Sequence, residues 1–137
     1  MKKIFLDTNF LMIPGSLKID IFSEIARIID EPCELYVLDK SIDELKGIMD
    51  KQKGKEKSAA KMALQLIELK NIKILVTKQK SLNMPINSKK SIVDDILVSI
   101  SDSDTIVATQ DSLLKKTLAA KGIKTLILRS KKKLEIR

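Results

Sequence analysis

A chain of 137 residues with 44% hydrophobic content is the size of one globular unit and can bury a real core. It contains no histidine and one cysteine, which excludes Ser-His-Asp and Cys-His catalysis, histidine-ligated metals and any internal disulfide, so any catalysis must rest on carboxylates. The net charge of +8 favours a polyanionic partner such as nucleic acid, while aromatic content of 3% argues against base stacking and for contacts to the phosphate backbone.

No stretch approaches the roughly 18 apolar residues of a membrane span, and Met1-Lys2-Lys3 leads into a strand, not a signal peptide; the expected location is cytoplasmic, with no membrane partner. Ile4-Phe5-Leu6 is a short buried strand that runs at once into Asp7-Thr8-Asn9, a carboxylate, a hydroxyl and an amide where the strand ends. An Asx turn or helix cap would use the same residues. Pro14-Gly15-Ser16 marks a turn, and Ile21, Phe22, Ile25, Ile28 and Ile29 recur at helical spacing from Asp20 to Ile29. After Pro32, Leu35 to Leu38 forms a second strand, with the lone Cys33 expected as a small buried hydrophobe. Ser41-Ile42-Asp43-Glu44 has the form of a capping box, which starts a helix at about Ser41 and puts Glu44 in its first turn.

A lysine-rich link from Lys51 to Lys57 precedes a third helix carrying Ala60, Ala63, Leu64 and Ile67. Ile72 to Val76 is the third strand, and the polar stretch from Thr77 to Lys90 is long enough for a functional loop. Ser91-Ile92-Val93-Asp94 repeats the capping pattern ahead of another helix. Thr105 to Ala108 is a fourth strand ending in Thr109-Gln110-Asp111, so a hydroxyl, an amide and a carboxylate again mark a strand exit. A helix from about Ser112 to Lys121, a fifth strand from Thr125 to Leu128 and a basic end over 129–137 complete a single domain spanning 1–137.

Strands alternating with helices predict a three-layer α/β/α sandwich with a five-stranded parallel sheet. In the order 3-2-1-4-5 the crevice lies beyond strands one and four, where Asp7 and Asp111 emerge, and the helix starts carrying Glu44 and Asp94 lie near the same edge. Four converging carboxylates raise one another's pKa, and a divalent cation is the ordinary remedy. All-oxygen ligands favour Mg²⁺ or Mn²⁺, which can activate water against a phosphodiester. Each acid also serves a plainer purpose, Glu44 and Asp94 against a helix dipole and Asp111 as an N-cap.

Phe5-Leu6-Asp7-Thr8-Asn9-Phe10-Leu11, Ile42-Asp43-Glu44-Leu45, Val93-Asp94-Asp95-Ile96-Leu97 and Ile106-Val107-Ala108-Thr109-Gln110-Asp111 resemble, in order, the four acidic motifs of PIN-domain nucleases. The likeness covers nearly the whole chain and is to the branch of VapC-type toxins and small-subunit pre-rRNA processing endonucleases, with the Asp94-Asp95 pair and the Ala-Thr-Gln-Asp ending pointing to the ribosomal side. The resemblance implies a metal-dependent endoribonuclease with Asp7, Glu44, Asp94 and Asp111 as catalytic, metal-binding acids, and Thr8, Asn9 and Thr109 as supporting or phosphate-contacting groups. Adjacent helical residues diverge by about 100°, so Asp94 and Asp95 cannot both point into one site, and Asp94 is preferred. The implied partners are RNA, a second copy of the chain, and an antitoxin or a pre-ribosomal particle. Two alternatives are an inactive PIN-fold scaffold, against which the presence of all four acids argues, and a haloacid-dehalogenase-like phosphatase, which wants an aspartate where this chain has Asn9.

Overall fold

In the computed structural model, which describes residues 1–77, 92–130 and 133–137, the sheet runs β3-β2-β1-β4-β5-β6. The strands are β1 (Lys2–Leu6), β2 (Cys33–Leu38), β3 (Lys73–Leu75), β4 (Thr105–Ala108), β5 (Lys124–Leu128) and β6 (Leu134–Ile136). The first five pair parallel in the order expected from the sequence. The sixth corrects the reading of 129–137 as a basic end: Leu134–Ile136 folds back antiparallel on β5 and buries Leu134. Leu134-Glu135-Ile136, between Lys133 and Arg137, is a single apolar-polar-apolar step, too short to read as a strand, and its pairing to β5 is tertiary.

Period-two alternation of the strands divides the core into two layers. Ile4 and Leu6 of β1, with Ile106 and Ala108 of β4, face one hydrophobic cluster, while Phe5 and Val107 between them face the other. The first cluster is closed by α1 (Thr8–Leu11), α2 (Ile13–Leu17), α3 (Ile21–Ile28), α4 (Asp39–Lys51) and α5 (Lys55–Leu69). The second is closed by α6 (Ile92–Ile100) and α7 (Ser112–Ala120). Phe10 and Leu6 of the first cluster and Leu118 of the second are essentially inaccessible, each contributing roughly 1.5–3 kcal/mol by burial.

Three local expectations shift. Pro14-Gly15-Ser16 is helical, since proline is tolerated in a first turn and Gly15 lets α2 press on α5: a Cβ there would stand 2.5 Å from the Ala59 Cα. Helix α5 begins at Lys55, inside the stretch read as a link. Helix α4 begins at Asp39, two residues before the capping-box start, with Leu38 in the cap position; the Asp39 carboxylate accepts from the Lys40 N–H and from both the N–H and hydroxyl of Thr77. Ser41 is therefore interior, fully buried, and without a hydrogen-bond partner among the described residues, so no capping box forms. Cys33 is half-buried against the first cluster. The link from Thr77 to Lys90 lies, beyond Thr77, outside the described residues, as does Ser91.

Candidate active site

The β1/β4 pair sets the site. Leu6 stands beside Ala108 in register, so Asp7 and Thr109 are the first residues past the ladder, and the Asp7 N–H donates to the Ala108 carbonyl at 2.9 Å. Asp7 is only 4% exposed. Its Oδ1 accepts from the Thr8 N–H at 2.8 Å, and Oδ2 accepts from the Thr109 hydroxyl at 2.7 Å. Asp7 thus caps the short helix α1, as the plainer reading of its motif anticipates, and still faces a cavity. Burial pushes its carboxyl pKa up, the Thr109 and Thr8 bonds pull it back, and negative charge on Glu44 and Asp111 pushes it up again.

Glu44 lies in the second turn of α4, not the first, because that helix starts early. Its Oε1 accepts from the Thr8 hydroxyl at 2.5 Å, which ties α4 to the exit of β1. Its pKa is raised mainly by burial, against the Thr8 bond, with Asp94 adding like-charge repulsion. Asp111 caps α7 through an Oδ1 that accepts from the Leu114 N–H at 2.9 Å, and its own N–H donates to the Thr109 hydroxyl at 3.1 Å. Asn9 is exposed, its Oδ1 accepting from the Gln110 N–H at 3.4 Å, while Gln110 Oε1 accepts from the Leu128 N–H at 2.9 Å. The loops after β1 and β4 are thereby stitched to each other and to β5.

Asp7, Glu44, Asp94 and Asp111 line one cavity of about 710 Å³, together with Thr8 and Asn9. Thr109 lies beneath it, fully buried. Asp95, in the same first turn of α6 as Asp94, is half-buried and is not one of the lining residues. The acids are linked electrostatically in a chain from Asp111 through Asp7 and Glu44 to Asp94. As the side chains lie, no three acids among the described residues stand close enough together to grip one ion. The oxygen-only donor set nevertheless suits a hard divalent cation, and burial first, with neighbouring acids a lesser cause, raises the pKa of Asp7 and Glu44.

Sequence reasoning missed the long wall of this cavity. Lys40, Asp43, Gly47, Ile48 and Lys51 line it from one face of α4, and Met12, Gln52 and Ile92 complete it. The signal was the helical stripe itself, since positions 40, 44, 47 and 51 share a face once Glu44 is placed in the site.

The sequence profile of the family described as a PIN like domain matches residues 4–131. The chain belongs to the PIN-domain family. The match stops short of β6, so that strand is an addition beyond the matched segment. The chain is 31% identical over 140 aligned residues to Ribonuclease VapC4 of Methanocaldococcus jannaschii, covering 99% of this chain and 97% of that protein. Among solved structures it is similar to the PIN domain endonuclease Utp24, with a TM-score of 0.75 at 20% identity over 98% of this chain and 90% of the other. It is also similar, with a TM-score of 0.60 at 16% identity over 95% and 93% of the two chains, to a domain of a functionally unknown protein from Methanocaldococcus jannaschii. Family membership with a full-length ribonuclease relative supports a nuclease, that is, a hydrolase. Among the described residues no helix is long and apolar enough to cross a membrane.

Proposed function

We propose that this PIN domain is a metal-dependent endoribonuclease that hydrolyses RNA phosphodiester bonds at the cavity beyond β1 and β4, with Asp7, Glu44, Asp94 and Asp111 as its working acids. The observation that carries the reading is that these four acids, brought by four separate elements, line one cavity, with Asp7 and Glu44 pushed toward protonation by burial first and by nearby acids second. Two of the acids also cap helices, but bringing like charges together at a partly buried cavity is a cost that capping does not require.

Mg²⁺ or Mn²⁺ held by these four carboxylates would supply Lewis acidity at the scissile phosphate and lower the pKa of the attacking water. The chain's own contribution is orientation. Thr109 fixes the Asp7 carboxylate, and Thr8 holds Glu44 toward the same cavity. Asn9 is kept at the rim by Gln110, within the cavity lining, where its amide can meet a phosphate or ribose oxygen. The net charge of +8 draws RNA to a site whose own acids would repel it.

Full-length identity with a VapC ribonuclease favours a toxin-type role, and with it an antitoxin as protein partner. The Utp24 likeness, at 20% identity, bears on the fold alone. The test is cleavage of a short RNA in Mg²⁺ and in Mn²⁺, with and without chelator, by wild type and by Asp7→Asn. Cleavage that needs the metal and is lost in the variant supports the reading; cleavage undiminished by both treatments overturns it. Growth arrest on expression, relieved by Asp7→Asn, would support the toxin role, and unimpaired growth with an active enzyme would count against it.

A further inference from the structure

Gly47 sits in the interior of α4, where glycine is less favourable than alanine by roughly 1 kcal/mol. Two structural needs ordinarily account for such a glycine, a positive φ or a neighbour that leaves no room for a Cβ. Neither holds here: Gly47 is not among the residues of positive φ, and a Cβ built on it meets no atom of the described residues within 4 Å. Gly15 is the opposite case, with Ala59 directly against it. The helix is therefore bare at a point where it lines the cavity, for no reason the described fold supplies.

Along that face the acids Asp43 and Glu44 lie on one side of Gly47, and a lysine stands beyond them and another on the opposite side. Lys40 and Lys51 lie on the same face, eleven positions apart, which is about 16 Å along the helix axis, and both line the cavity. Neither makes an ion pair among the described residues. Glu44 stands between Lys40 and Gly47 on that face, bound to Thr8 and so joined to the Asp7 loop.

We propose that this face of α4 is a track for one strand of RNA, whose sugar-phosphate backbone passes directly against the helix at Gly47 while Lys40 and Lys51 neutralise phosphates on either side. The proposal rests on the nuclease reading above and adds the path of the substrate and the α4 residues that hold it.

The experiment is a size series at Gly47 with binding and cleavage read separately. Gly47→Ala and Gly47→Leu both improve helix propensity, so both should melt at or above the wild-type temperature. In an Asp7→Asn background, which cannot cleave on the reading above, affinity for a short labelled single-stranded RNA should fall with side-chain size, by at least about tenfold for leucine, the scale of a steric mismatch in a fitted site. Lys40→Ala and Lys51→Ala should each reduce the slope of log affinity against log salt by ~0.7, one phosphate contact apiece. Lys3→Ala, toward the end of β1 opposite Asp7 and outside the cavity lining, should leave it unchanged. If Gly47→Leu folds, binds RNA like wild type and, with Asp7 intact, cleaves with unchanged KM, the track is overturned while the nuclease reading stands. If wild type cleaves no RNA in either metal but the Gly47 series still weakens binding, the track stands and the nuclease reading falls.

Discussion

The Thr109 hydroxyl donates to Asp7 Oδ2 at 2.7 Å and accepts from the Asp111 N–H at 3.1 Å, so one buried oxygen orients the carboxylate at the end of β1 and the backbone that carries the carboxylate after β4. A valine of the same shape would fill the space and make neither bond. Thr109→Val should cost roughly 1–3 kcal/mol, because a charged acceptor and a backbone donor are left unmade. On the proposed reading, activity should fall by roughly 10–100-fold, the scale for losing a partner that orients a metal ligand. Thermal melts and RNA cleavage rates check both; a variant that is less stable but fully active would show that Thr109 serves the fold alone.

Asp7 holds its proton more tightly in the folded chain than at the ordinary value of 3.8, with burial as the first cause. For a raised carboxyl the folded state binds the extra proton, so its contribution to stability is present below the unfolded pKa and is lost as pH rises through the folded one. Glu44 behaves in the same direction from 4.5. Asp7→Asn removes this penalty, so the variant should gain on wild type as pH rises from about 4 to 7, while cleavage is lost. Denaturant midpoints across that range test it. A stability gap that stays constant with pH, or one that narrows, would contradict the burial argument.

Glu44 and Asp43 both line the cavity, but only Glu44 is recorded bonded to the Asp7 loop, through Thr8. Glu44→Gln keeps an oxygen acceptor for the Thr8 hydroxyl and should melt within a few degrees of wild type, yet lose at least about 100-fold in activity if a charged ligand is required. Asp43→Asn, exposed at the rim, should change stability little and activity less than Glu44→Gln. The reverse ranking in cleavage assays would place the second acid of the site at Asp43.

A metal that draws on these acids should stabilise the fold that holds them, by an amount that grows with concentration over its dissociation constant. Mg²⁺ or Mn²⁺ should therefore raise the wild-type melting temperature, most at neutral pH where the acids are charged. Asp94→Asn should blunt that rise and Asp95→Asn should not, since Asp94 lines the cavity and Asp95 is not among its lining residues. Equal blunting by both, or none by either, would count against Asp94 as a ligand.

The elements that position the candidate acids were legible where local chemistry and tertiary pairing agree. Buried strands ending in Asp7 and in Thr109-Gln110-Asp111 announce themselves by an apolar run stopping at polar groups, and β1 and β4 do lie side by side. Asp7 and Asp111 are helix caps and cavity-lining residues at once, so the two readings of each were never exclusive. Ser41-Ile42-Asp43-Glu44 fits a capping box and points to a start at Ser41, while the true first residue, Asp39, is held by Thr77 across 38 positions, a contact that leaves no local trace. Gly15 likewise reads as a turn until Ala59 is seen against it. Lys40 and Lys51 were unremarkable among 26 basic residues until the helix face placed them beside Glu44.

The short β6 has a bearing on handling the protein. Its pairing covers the open side of β5, Leu134 enters the first core cluster, and the Leu134 N–H donates to Glu24 of α3 at 3.2 Å. Glu135 meanwhile pairs with Arg129 and Arg137, leaving charge on the outermost strand. Trimming the chain after Arg129, as a cut made at the end of the family profile match would nearly do, would strip this cover and leave β5 as an uncapped template for another molecule's strand. A shortened form that precipitates would then report a lost guard against self-association, and would say nothing about whether the basic residues it lacks touch RNA.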